Sequence, residues 1–367
     1  MKFTINRDDL LKPLVLVSGA IERKHSSPIL SNVLIEVANG QISLTGTDLE
    51  VELVATSQIS DQSVALRTTV PAKKLLDICK SLPDGVELAI TLDGDAMIIR
   101  AGKSRFTLVT LNAEQYPNID EWDVEVSLKL TKSDLRGLIE NTHFAMANQD
   151  VRYYLNGMSL EIENTILRTV STDGHRLAVS SLDLGDYVIE QLSIIIPRKG
   201  IMEILRLIGD GDEQVTMNIG TNHIKIIDQG FQFSSKLVDG RFPDYRRVMP
   251  RNGDKIVVAR RDILRDAFMR VSILSNERFR GVRLNLKPNE LHISANNPEQ
   301  EQAEEAVDVS YAGEELELGF NVSYILDVLN NLKCEEVQLT FINATSSALI
   351  EAVGRTDLTY VVMPMRL

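Results

Sequence analysis

Residues 66–111 read LRTTVPAKKLLDICKSLPDGVELAITLDGDAMIIRAGKSRFTLVTL. LRTTV alternates as a strand does. Pro71 then stands where a first helical turn tolerates a missing N–H, and Leu75, Leu76, Ile78 and Cys79 form an apolar stripe behind it. Pro83, Asp84 and Gly85 stop that helix. VELAITL, AMIIR and RFTLVTL carry strand composition, with Asp93-Gly94 as a hairpin signal and Gly102 in the next turn. The stretch predicts a strand, a helix and three further strands, that is, a small antiparallel sheet covered by one helix.

The pattern recurs six times. Helices are expected to open near Asp8, Lys73, Ser133, Arg198, Arg261 and Val322, in steps of 60 to 65 residues, which is the mark of one copied module. NRDDLLKPL, TKSDLRGLI and RRDILRDAF open alternate helices, and VPAKKLLDI, IPRKGIMEI and FNVSYILDV open those between. The chain of 367 residues therefore divides into three similar blocks of two modules each, 1–123, 124–253 and 254–367, and the class is α+β. No long Gly, Pro or Ser linker marks the junctions, so these are expected to be short and stiff. A sheet that stops leaves unpaired backbone groups. Sheets joined across block boundaries, and a head-to-tail copy closing the free edges of the first and last blocks, would satisfy them.

Composition is that of a globular chain, 44% hydrophobic and 25% charged. No apolar run approaches the length of a membrane span, and MKFTINRDDL lacks the apolar stretch of a signal peptide, so no membrane partner and a cytoplasmic location are expected. Cys79 and Cys334, the only cysteines, end apolar helix patterns and read as packing thiols. The net charge of −13 argues against a broadly basic nucleic-acid binder. Yet the six helix windows with their flanks hold 17 Lys and Arg against 10 Asp and Glu, leaving −20 on the remainder. Lys73, Lys74, Arg198, Lys199, Arg260 and Arg261 fall near helix starts, where the macrodipole disfavours cations. If the six helices line one face, a mildly positive surface inside an acidic exterior would suit a polyanion; ordinary solvated helix faces are the plainer alternative.

Catalytic signals are few. GxxxxGK[ST], GxGxxG after a strand, HExxH, CxxC and GxSxG are all missing, so no cofactor, no metal and no catalytic residue is expected. Thr172, Asp173, Gly174, His175 and Arg176 bring an acid, a base and a cation together, but no activated nucleophile accompanies them. The better reading is a hairpin turn whose His175 and Arg176 make a polar rim around Leu155 and Leu177. Asp210-Gly211-Asp212 lacks the later ligands of a calcium loop and reads as a turn. His25, His143, His223 and His292 share no ligand spacing, and Glu299–Glu305 reads as a solvated acidic face. Asn148–Leu155 mixes amides, a cation and paired tyrosines suited to phosphate and base contact. VVMPMRL ends the chain with thioethers that make an adaptable apolar surface.

DLEVEL, QDVRYYLNGM, STDGHRLAVSS, PRKG, KLVDGRFPDYRRV, SNERFRGVRL, ANNPEQEQAEE, FNVSYILDVL and YVVMPMRL, in order along the whole chain, resemble the bacterial DNA polymerase III beta subunit family, the sliding clamps. The resemblance implies a DNA-clamp fold, with sheets outside and helices lining a ring made by a head-to-tail homodimer around duplex DNA. It further implies tethering of the polymerase III alpha subunit, opening by a clamp-loader complex, and a peptide groove shared by other polymerases and mismatch-repair proteins. Carried over by position, Lys24, Lys73, Lys103, Gln149, Tyr153 and Tyr154 would contact DNA. Lys at 24, 73 and 103, where relatives often carry Arg, keeps the charge but not the bidentate fork. Leu155, Thr172, Gly174, His175, Arg176, Leu177, Pro243, Arg247, Val248, Val361, Met363, Pro364, Met365 and Arg366 would form the groove, and Phe106 and Leu108 would meet Ile273 and Leu274 between subunits. An enzyme built around Asp173 and His175, or a repeat-domain scaffold that binds partner peptides but no DNA, are the rival readings.

Overall fold

The computed structural model describes residues 2–21, 27–60, 63–119, 122–185 and 187–366. The first module is strand β1 (Lys2–Asn6), helix α1 (Arg7–Val17) and strands β2 (Asn32–Ala38), β3 (Gln41–Thr47) and β4 (Val51–Gln58). The second is β5 (Leu66–Pro71), α2 (Ala72–Ser81), β6 (Glu87–Asp93), β7 (Ala96–Ala101) and β8 (Ser104–Val109). The third is β9 (Val126–Thr131), α3 (Lys132–Glu140), β10 (Gly157–Asn164), β11 (Ile166–Thr172) and β12 (Arg176–Asp183). The fourth is β13 (Ile189–Pro197), α4 (Arg198–Leu207), β14 (Gln214–Ile219), β15 (His223–Asp228) and β16 (Phe231–Lys236). The fifth is β17 (Lys255–Arg260), α5 (Arg261–Ser272), β18 (Gly281–Lys287), β19 (Glu290–Asn296) and β20 (Gln302–Asp308). The sixth is β21 (Leu316–Asn321), α6 (Val322–Asn331), β22 (Glu336–Phe341), β23 (Ala348–Ala352) and β24 (Leu358–Val362). Every helix opens at or within one residue of its expected start.

Helical spacing of apolar residues buries one stripe of each helix. Leu10, Leu14 and Val17 of α1 are fully buried, as are Leu75 and Cys79 of α2 and Leu264, Ala267 and Phe268 of α5. Asn6 caps α1 by accepting from the Asp8 N–H at 2.9 Å, and Asn321 caps α6 by accepting from the Ser323 N–H at 2.9 Å.

The chain forms two compact units, Met1–Ser133 with Met202–Leu237, and Asp134–Ile201 with Val238–Leu367. Each holds one sheet of four strands and one of eight. In the first unit these run β1-β6-β7-β8 and β5-β2-β3-β4-β16-β15-β14-β9; in the second, β20-β19-β18-β21 and β13-β10-β11-β12-β24-β23-β22-β17. The eight-stranded sheets arise where the last strand of an odd module pairs with the last strand of a later even one. β4 lies antiparallel to β16, with Val51 opposite Ser235 and Leu53 opposite Phe233. β12 lies antiparallel to β24, with Arg176 opposite Val362 and Leu177 opposite Val361. Such pairing satisfies edges that two separate four-stranded sheets would leave open. It also brings the Thr172–Arg176 turn beside the last residues of the chain.

Candidate functional site

The turn between β11 and β12 is built by its own short side chains. Thr172 Oγ1 donates to the Arg176 carbonyl at 2.6 Å and accepts from the Gly174 N–H at 3.1 Å. Asp173 Oδ1 accepts from the N–H groups of His175 and Arg176 at 2.9 and 3.0 Å. Gly174 has φ +87°, which glycine adopts without strain. Met363 N–H donates to the His175 carbonyl at 2.9 Å and ties the chain end to the turn.

An apolar groove of about 180 Å³ opens beside this turn. Leu155, Leu177, Val361 and Tyr245 are almost wholly buried beneath it and pack with Val170, Val179, Ile195 and Phe242. Of the fourteen residues expected at the groove, Leu155, Thr172, Gly174, His175, Arg176, Leu177, Pro243, Val248, Val361 and Met363 line it. Arg247, Pro364, Met365 and Arg366 do not. Arg247 pairs with Asp244 at 2.9 Å and its side chain is 83% exposed, while Met365 N–H donates to the Gly319 carbonyl at 2.7 Å.

Arg152, Tyr154, Asp244 and Tyr245 also line the groove, and sequence reading assigned none of them there. For Arg152 the usable signal was its pairing with Asp150, two residues away. Asp150 holds the Arg152 guanidinium at 2.8 and 3.0 Å, and Arg152 Nη2 reaches the Asp173 carbonyl at 3.1 Å. Those bonds from Arg152 hold the Asp150 carboxyl down at about 2.

The rim is braced rather than free. Arg176 binds Asp173 at 3.2 Å, pairs with Asp327 and donates to the Phe144 carbonyl at 2.8 Å. Its guanidinium also stacks over Tyr324, 4.7 Å from the ring centre. The exposed His175 ring lies parallel to Tyr324 at 6.2 Å. Asp173 is therefore engaged by two backbone N–H groups and by Arg176, not by the His175 ring. Among the described residues no three His, Cys, Asp or Glu side chains gather as a metal set, and no helix is long and apolar enough to cross a membrane.

The residues assigned to DNA fall in separate places. Lys24 lies outside the described residues. In the first unit, Lys73 is exposed in the first turn of α2 and Lys103 is exposed in the turn between β7 and β8. In the second, Gln149 is exposed with φ +57° and Tyr153 is 58% exposed. Tyr154 meets the Tyr153 ring edge-on at 5.7 Å and packs its other side into the groove wall. Phe106 and Leu108 lie on β8, an outer strand, with Leu108 buried inside its own sheet. Ile273, just past α5, is 75% exposed, and Leu274 is half-buried.

Family models of the N-terminal, central and C-terminal domains of the DNA polymerase III beta subunit match residues 1–120, 129–244 and 246–366. The chain belongs to the DNA polymerase III beta subunit family. It is 55% identical to the beta sliding clamp of Proteus mirabilis and 53% identical to that of Escherichia coli K12, each over the full length of both chains. A crystal structure of the Pseudomonas aeruginosa beta subunit covers it entirely with TM-score 0.98 at 52% identity, and a Pseudomonas aeruginosa clamp bound to griselimycin does so with TM-score 0.97. The α+β clamp fold of three similar domains follows, and so does the role of a DNA sliding clamp in polymerase processivity. The family is one of processivity factors, not of catalytic polymerase subunits.

Proposed function

We propose that two copies of this chain close head to tail into a ring around duplex DNA. The ring holds the replicative polymerase, and exchanges it with other polymerases and mismatch-repair proteins, through short peptides seated in the groove. A clamp loader opens the ring, the chain itself has no catalytic site, and the protein works in the bacterial cytoplasm. The domains divide near residues 123 and 253.

The observation that carries the ring is one kind of sheet junction, made twice within the chain. Odd modules end in β4, β12 and β20, and even ones in β8, β16 and β24; β4 pairs with β16 and β12 with β24, which leaves β20 and β8 as outer strands. Transferring the register of the two made junctions sets Phe106 opposite Ala303 and Arg105 opposite Glu304 of a second copy. Opposite charges facing across antiparallel strands favour that alignment. Lys73, Lys103, Gln149, Tyr153 and Tyr154 would touch DNA through phosphate and stacking contacts that carry no sequence preference, so the ring can slide while closure prevents loss.

Retention on nicked circular DNA, loaded by a clamp loader, tests this reading. Linearising the circle is expected to release the protein. Retention on the cut DNA would mean a site-bound protein, and no loading at all would favour a scaffold without DNA. For the groove, griselimycin, which a Pseudomonas aeruginosa relative binds, is expected to compete with a polymerase peptide. Unimpeded peptide binding at saturating griselimycin would sink the assignment.

A further inference from the structure

We propose that Asp77 and Lys80 on α2 form a latch for the carbonyl end of α5 in a second copy of this chain, a contact that rests on the head-to-tail ring proposed above. The first unit already holds a finished version of such a latch. Arg206 on α4 donates through Nη2 to the Leu16 carbonyl at 2.6 Å, at the negative end of α1, and Glu203 steadies the guanidinium at 2.7 Å. The pair lies directly across Gly19, where a Cβ would come within 2.3 Å of Arg206 Nη2 and of Glu203 Oε2.

The repeats place the same parts elsewhere. Counting from the first helical residue, Asp77 of α2 stands where α4 has Glu203, and Lys80 stands where α4 has Arg206. The ends of α1 and α5 align through matching bonds: Ser18 Oγ donates to the Val15 carbonyl at 2.7 Å, and Ser272 Oγ to the Met269 carbonyl at 2.7 Å. Arg270 then corresponds to Leu16 and Ile273 to Gly19. The side chains of Asp77 and Lys80 have no hydrogen bond or ion pair among the described residues, and they border a cavity of about 240 Å³ next to Leu76. Ile273 presents its side chain 75% exposed.

The substitutions compensate in size. Where the finished latch sets Glu203 and Arg206 against a glycine, the open one sets a carboxylate one methylene shorter and a lysine without the planar guanidinium against an isoleucine. Ile273 of the second copy fills the space that Glu203 and Arg206 fill over Gly19. Lys80 Nζ then reaches the carbonyl of Arg270 of the second copy, where the helix dipole favours a cation. The contact continues the interface that β8 and β20 would form.

The dimer dissociation constant, measured by subunit exchange without DNA, tests this. Lys80→Ala is expected to raise it roughly two- to fivefold. Asp77→Glu with Lys80→Arg, which rebuilds the α4 pair, is expected to raise it further by crowding Ile273. Adding Ile273→Gly is expected to cost less in that background than in the wild type, because the two changes are coupled. Additive effects, or an unchanged constant in every α2 variant of a chain that does dimerise, would overturn the latch alone. A wild-type chain that stays monomeric at micromolar concentration would overturn the ring and the latch together.

Discussion

Thr47 Oγ1 donates to the Val51 carbonyl at 2.8 Å and accepts from the Leu49 N–H at 3.1 Å, while Asp48 Oδ1 accepts from the N–H groups of Glu50 and Val51 at 2.9 and 2.8 Å. These are the bonds that Thr172 and Asp173 make in the turn beside the groove. Both turns lead into a strand that joins two four-stranded halves of a sheet. The register places Glu52 where the second unit has Leu177, and Ser234 where it has Val361. The groove floor is thus apolar in one unit and polar in the other. Glu52 accepts from the Ile119 N–H at 2.9 Å, where the second unit has Tyr245, and Tyr116, whose Tyr-Pro pair matches Phe242-Pro243, is buried with its hydroxyl at 3.2 and 3.0 Å from the carbonyls of Asn32 and Thr45. Duplication supplied two turns, and the one with two apolar floor positions beneath it is the one that borders the groove.

Leu177→Glu, which copies the first unit into the second, should break this difference most severely. Burying a carboxylate under the anchor of a bound peptide is expected to raise the peptide dissociation constant by about 100-fold or more. Fluorescence anisotropy with a polymerase peptide reads it, and a retained dimer with an unchanged circular dichroism spectrum keeps the result from being mere unfolding. Affinity within threefold of wild type would show that the floor does not seat the peptide.

The connector side can be weighed separately. Tyr116→Phe leaves two buried carbonyls without their hydroxyl and should cost about 1–3 kcal/mol in chemical denaturation. Tyr245→Phe should cost less, since Glu161, the acceptor of its hydroxyl, still pairs with Arg246 at 3.3 Å. Equal losses would mean that the two tyrosines do the same work.

Acidity offers a further contrast with opposite signs. Burial pushes the Glu52 carboxyl up from the usual range, whereas Arg152 holds Asp150 at about 2. A raised carboxyl favours the fold while protonated, and that contribution is lost as pH rises through the raised value. Glu52→Gln should therefore raise the melting temperature more at about pH 8 than at about pH 5. A depressed carboxyl favours the fold above its ordinary value and loses that contribution only as pH falls through about 2. Peptide affinity, as far as it depends on Arg152, should stay flat between those two conditions in the wild type and drop at both in Asp150→Asn.

The six modules were legible because each places an apolar stripe and a Gly or Pro stop at a fixed spacing, and those are local signals. The Thr172–Arg176 turn and its rim were legible for the same reason. Tyr245 was not, since PDYRRV reads as polar and only the pairing of β12 with β24 brings Val361 against it. The chain end divides likewise: Val361 lies in the floor and Met363 on the wall, yet the bond from Met365 to Gly319 turns the last residues elsewhere. Such partition depends on contacts between residues far apart in sequence, and periodicity carries no record of them.

The smallest effect concerns the third residue of each turn, Leu49 at φ +78° and Gly174 at φ +87°. An L residue held there costs roughly 1–2 kcal/mol, and a glycine gives back about 0.5–1 through its greater freedom when unfolded. Leu49→Gly should consequently stabilise the first unit by no more than about 1 kcal/mol, as a small shift in denaturation midpoint. Gly174→Ala adds strain and more. Its Cβ would stand 2.9 Å from Arg152 Nη1, the end of a flexible side chain that must then leave the groove wall. Peptide affinity should fall while stability changes little beyond the strain. If Gly174→Ala leaves affinity untouched, Arg152 is no part of the peptide seat, and the two turns differ only in what lies beneath them.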